Sequence, residues 1–167
     1  LGANGSGKST LIKTLVGLLE PHGGDIFING ENVKGWSWRK RAQHVSYIPQ
    51  TFSSTFHYRG IDIVVMGRTS YLGLASTPSK EDMEIAEEAM EKLNILHLKD
   101  KIYSKMSGGE RQLVKIAQAL AQEAKIIVMD EPTNNLDFGN QIVMLNHLKL
   151  CADMGMLVIM ATHFPDQ

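Results

Sequence analysis

The stretch Gly2-Ala3-Asn4-Gly5-Ser6-Gly7-Lys8-Ser9-Thr10 fits the pattern G-x-x-x-x-G-K-[ST] and runs straight into apolar residues at helical spacing. Its glycines let backbone N–H groups curl around phosphate oxygens. Lys8 brings a point charge toward the outer phosphates, and the Ser9 hydroxyl can ligate Mg²⁺. A loop of this kind sits between a strand and a helix, and the helix is expected to be carried by Leu11, Leu15, Leu18 and Leu19.

The rest of the chain alternates apolar runs with helical patterns. Ile26-Phe27-Ile28 precedes the turn pair Asn29-Gly30, which predicts a hairpin. Residues 36–43 are basic and helical in pattern. Residues 45–48, 126–129 and 156–161 read as strands, the last two apolar throughout. Strands that are apolar throughout, joined by helices, imply a largely parallel sheet covered on both faces, with ligands beyond the carboxyl ends of its strands. Gln50 follows one such strand, Asp130-Glu131 a second and His163 a third. Between residues 51 and 106 the pattern turns helical. Ser79 with Asp82 starts a helix whose Met83, Ala86, Met90 and Leu93 share a face, while Glu84, Glu87, Glu88 and Glu91 form a solvated one.

Ser107-Gly108-Gly109-Glu110 opens another helix, with Leu113, Ile116, Ala117, Leu120 and Ala121 as its buried stripe. Ser107 and Glu110 make a capping box. Each glycine in that first turn costs roughly 1 kcal/mol relative to alanine, and bare N–H groups at a helix start suit an anion. The pair Asp130-Glu131, at the end of a buried strand, is expensive in a core and sensible beside a cation. Gln50 can offer a carboxamide oxygen without adding charge.

A formal net charge of −1 over 167 residues carries no polybasic signal for nucleic acid. A single cysteine, Cys151, excludes an internal disulfide. The longest apolar run, residues 156–161, is too short to span a bilayer, which suggests a soluble, cytoplasmic protein. Leu1 alone remains of the strand the phosphate loop requires, so both ends read as cut.

Together, the two glycine-rich helix starts and the carboxylate pair resemble the nucleotide-binding domain of ATP-binding cassette (ABC) proteins. The resemblance implies an α/β fold with a P-loop NTPase core, its mostly parallel sheet covered by helices, plus a helical subdomain insertion, truncated at both ends. Residues 1–51 and 111–167 would form the core and 52–110 the helical and signature subdomain. ATP and Mg²⁺ are the implied ligands. Gly2, Asn4, Gly5, Ser6, Gly7, Lys8, Ser9 and Thr10 would bind nucleotide in one copy of the chain, and Ser107, Gly108 and Gly109 of a second copy would cap it, giving a head-to-tail homodimer. Asp130 would hold Mg²⁺ with Ser9 and Gln50, Glu131 would orient or deprotonate the attacking water, and His163 would donate to the γ-phosphate. Asn134-Asn135-Leu136-Asp137 matches the family's D-loop, or is a polar turn. The family's usual glutamine after the two glycines is Glu110 here.

Val65-Met66-Gly67-Arg68-Thr69-Ser70-Tyr71-Leu72-Gly73 and Ser79-Lys80-Glu81-Asp82 are similar to the ATPase subunits of importers for iron-siderophore complexes, haem and cobalamin. That likeness implies integral-membrane permease subunits as partners, met near Phe52 to Tyr71, an extracytoplasmic binding protein acting indirectly, and a place at the cytoplasmic face of the membrane. The alternative is a non-transport ABC ATPase that remodels ribosomes or assembles a cofactor.

Overall fold

The computed structural model describes residues 2, 5–49, 57–73, 76–133 and 136–162. Helix α1 (Lys8–Leu15) is followed by a hairpin of β1 (Phe27–Ile28) and β2 (Glu31–Asn32), short helix α2 (Trp38–Ala42) and strand β3 (Val45–Ile48). The hairpin turns at Asn29 and Gly30, both at positive φ, as the sequence pair predicts. Helices α3 (Gly60–Val65), α4 (Lys80–Lys92) and α5 (Gly108–Ala121) come next, then β4 (Ile126–Asp130), α6 (Phe138–Asp153) and β5 (Leu157–Ala161). Among the described residues, no helix is long and apolar enough to cross a membrane.

Strands β3, β4 and β5 form a parallel sheet in that order, in which Ile48 stands opposite Met129, and Asp130 opposite Ala161. All three therefore end at one edge. Side chains alternate across β4. Ile127 and Met129 enter a core built from α3, α4, α5 and α6, whereas Val128 enters a smaller one shared with Ile12, Ile28, Val33, Val45 and Ala161. The sheet is covered on both faces, the α/β arrangement its uninterrupted apolar strands require.

The face of α1 is a correction to the sequence reading. Ile12 is the buried residue of the helix and Val16 packs beside it, while Leu11 and Leu18 are 61% and 62% exposed and Leu19 is exposed too. The stripe that meets the sheet runs through positions 12 and 16, which share a helix face, and Leu18 and Leu19 lie beyond the end of α1 at Leu15.

On α4 the expected face holds, with Ala86, Met90 and Leu93 buried and Met83 packed against them. Its acidic face is less uniform than its composition suggests, because Glu87 pairs with Lys99 at 2.6 Å. The insertion docks closely on α5: a Cβ at Gly67 would lie 2.3 Å from the Gln118 carbonyl oxygen. Arg68 is buried beside that contact. Its guanidinium donates to Asp82 at 3.0 Å, to the Ala121 carbonyl at 2.9 Å and to Glu123 at 2.6 Å, and it stacks 4.2 Å from the Tyr71 ring centre. Burial works against the Arg68 charge, yet Glu123 and Asp82 outweigh it and raise its pKa. One residue thus ties the start of α4 to the end of α5.

Candidate functional site

Helix α1 begins without a side-chain cap. Its N-cap is Gly7, at φ 88°, a left-handed conformation that glycine adopts without steric cost. Helices α2, α4, α5 and α6 are each capped by a side chain: Ser37, Ser79, Ser107 and Asp137. The α1 start instead opens on a cavity of about 220 Å³ lined by Gly5, Gly7, Lys8, Ser9, Thr10 and Glu131. Ser6 and Ser9 are exposed there. The Lys8 ammonium arches over the loop to donate to the Gly2 carbonyl at 2.6 Å. A curled backbone, a positive helix end and a lysine together suit a polyphosphate.

Of the two carboxylates at the end of β4, Glu131 lines this cavity and Asp130 does not. Asp130 is buried, and its Oδ1 has no hydrogen-bond partner among the described residues. A buried carboxylate oxygen left unpaired is costly unless a cation takes it. With the Ser9 hydroxyl beside the loop, this oxygen donor set fits a hard divalent cation such as Mg²⁺. Burial, and then the Asp130 charge, raises the pKa of nearby Tyr47. Glu131 is half-buried and sits at φ 46°, while its N–H donates to the Ala161 carbonyl at 3.0 Å. Asn29, Asn94 and Glu123 share this left-handed region; Glu131 differs from them in lining the cavity at α1. The strand bond to β5 holds the residue in this conformation against the cavity.

The start of α5 is a separate place. The Ser107 hydroxyl accepts from the Glu110 N–H at 3.2 Å, and a Glu110 carboxylate oxygen accepts from the Ser107 N–H at 2.7 Å. Lys101 donates to both Glu110 oxygens at 2.8 Å. Lys101 first, then Ser107, holds the Glu110 carboxyl below the usual carboxylate range. The acid that replaces the family's glutamine is therefore neutralised within its own chain. Ser107 and Gly108 are exposed and Gly109 is buried; none of the three lines the cavity at α1.

Asn4, Gln50, His163, Asn134 and Asn135 lie outside the described residues. Leu136 and Asp137, from the same loop as the two asparagines, stand beside the α5 start and at the α6 cap. Two contributors to this region escape the sequence reading. Lys101 is one lysine among many until the fold places it on Glu110, and Asn140 lies three residues past an N-cap aspartate, a spacing that offers a capping partner and nothing more. A larger concavity, about 1020 Å³, is walled by Trp36, Trp38, Arg41 and Tyr47 among others. It lies away from both glycine motifs.

The sequence profile of ABC transporters matches residues 1–134. This chain belongs to that family. It is 47% identical over its whole length to an uncharacterised ABC transporter ATP-binding protein of Haemophilus influenzae, of which it spans 64%. It is 39% identical to the molybdate import ATP-binding protein MolC of the same organism, again over its whole length and 61% of the relative. Identity to the hemin import ATP-binding protein HmuV of Pseudomonas fluorescens is 37%, across 98% of this chain and 64% of that one. Among solved structures, an inward-facing metal-chelate type ABC transporter superposes with a TM-score of 0.88 at 39% identity, covering 99% of this chain and 62% of the other. The chain thus spans a little under two thirds of the ABC proteins it matches.

Proposed function

We propose that the protein to which this chain belongs binds and hydrolyses ATP to drive an ABC importer for a metal chelate such as an iron-siderophore complex, haem or cobalamin. The observation that carries the ATPase reading is the cavity at the uncapped α1 start, where the phosphate loop and Glu131 face one another. Gly2, Asn4, Gly5, Ser6, Gly7, Lys8, Ser9 and Thr10 bind the phosphates. Ser9, Asp130 and Gln50 hold Mg²⁺, which when bound neutralises phosphate charge. Glu131 takes a proton from the attacking water as its oxygen bonds to the γ-phosphorus; the bond to the β–γ bridging oxygen breaks, and ADP and phosphate leave. His163 donates to the γ-phosphate. Such a site works by positioning and electrostatics more than by covalent chemistry.

Ser107, Gly108 and Gly109 serve the nucleotide of a second copy, and their exclusion from the α1 cavity favours that assignment over service in their own chain. A relative named for hemin import and a transporter structure of metal-chelate type support the cargo class, and the molybdate relative widens it to metal oxyanions. Permease subunits of the membrane receive the motion at its cytoplasmic face, with an extracytoplasmic binding protein delivering cargo to them. In the complete protein, Glu131→Gln should lower turnover by about 100-fold or more while ATP binding persists. Unchanged turnover would remove Glu131 from its role.

A further inference from the structure

We propose that Asn140 is a positioning residue that locks the start of α5 to the first turn of α6, where Gln141 donates to the Thr133 carbonyl, so that Glu131 and the exposed Ser107-Gly108 edge move as one unit. The proposal rests on the ATPase reading above.

Asp137 caps α6 with both carboxylate oxygens engaged on Asn140: one accepts its backbone N–H at 2.9 Å, the other its side-chain amide at 2.6 Å. The amide nitrogen is thereby committed, and the side-chain oxygen is turned toward Gly109. A Cβ on Gly109 would meet that oxygen at 2.6 Å and its carbon at 2.9 Å. These atoms belong to a short side chain pinned at its far end, so they cannot simply swing away. Leu136 closes the same contact from the other side, 3.4 Å from where a Gly108 Cβ would stand.

Gly109 lies inside a helix and away from positive φ. Its backbone would accept alanine, which is the better helix former by roughly 1 kcal/mol. Among the described residues, the three atoms nearest to such a Cβ all belong to Asn140, which opposes that change. The glycine pair therefore divides its duties. Gly108 keeps an exposed edge slim, and Gly109 lets the first turn of α6 lie directly on α5.

A cycle of Gly109→Ala, Asn140→Ala and the double variant, made in the complete protein, tests this. Melting temperature reports the contact whether or not nucleotide turns over. Gly109→Ala should lower it, and adding Asn140→Ala should recover most of the loss; effects that simply add overturn the contact. Turnover at saturating ATP, with its permease present, reports the positioning. Asn140→Ala should lower kcat by about tenfold and leave ATP affinity of the lone subunit unchanged, with Asn140→Gln restoring less than half. An unchanged kcat overturns the positioning role. If the wild type itself neither binds nor hydrolyses ATP, the ATPase reading fails, and the positioning role with it.

Discussion

The two glycine-rich helix starts are opposites. At α1 the N-cap is a left-handed glycine with no capping side chain, and the first turn opens on a cavity. At α5 a serine and a glutamate close a reciprocal box, a lysine neutralises the glutamate, and the second glycine is buried under Asn140. The first has no side-chain cap among the described residues, which leaves its N–H groups suited to an anion. The second already has its serine and glutamate engaged as a helix cap, so what it gives to a nucleotide is the Ser107 edge and the backbone of its two glycines. Glycine alone thus does not identify a phosphate contact. What the neighbouring side chains leave unpaired does.

That contrast is most easily broken with one substitution at each start. Lys8→Ala should abolish ATP binding by a lone subunit and cut turnover by about 100-fold or more, whereas Ser107→Arg should abolish turnover and spare binding by that subunit. Isothermal titration of single subunits, beside phosphate release from the assembled protein, reads both. Equal loss of binding in the two variants would make the starts equivalent and end the comparison.

A smaller effect is expected where α5 ends. Arg68→Ala leaves the Asp82 carboxylate buried without its cation, and breaking a buried pair from one side costs roughly 3–5 kcal/mol. Urea unfolding of the complete protein should register that loss. If stability is unchanged, α5 is not anchored at its far end as the hydrogen bonds of Arg68 indicate.

The smallest effect is a pH dependence. Burial, with Arg111 adding to it, lowers the Lys115 pKa to about 8. Because the folded value lies below the unfolded one, the associated stability is present above the unfolded value of roughly 10.4 and is lost as pH falls through about 8. The stability of Lys115→Met relative to wild type should therefore grow between pH 10 and 8 and level off below. A flat difference across that window would show that Lys115 is solvated in a way its burial in α5 contradicts.

Much of the architecture was legible from short-range rules. Asn29-Gly30 has the left-handed preferences a tight hairpin demands, Ser79 with Asp82 and Ser107 with Glu110 spell their own caps, and β4 ends within one residue of its apolar run, at Asp130. Each of these depends on residues within three or four positions. The misreading of α1 has the complementary cause. Four leucines outweigh Ile12 and Val16 by count, but which face is buried depends on where β4 and β5 lie, and those strands are more than a hundred residues away.

Residue order alone determined the glycine-rich start of α1, the parallel strands, the helix caps and family membership, because these are matters of spacing and local backbone preference. Only the folded chain decided that Asp130 would keep a buried oxygen unpaired among the described residues, that Glu131 would be held at positive φ by β5, that Arg68 would find Asp82 and that Gly109 would lie beneath Asn140. Desolvation and close contact depend on which atoms arrive together, and distant segments bring those atoms.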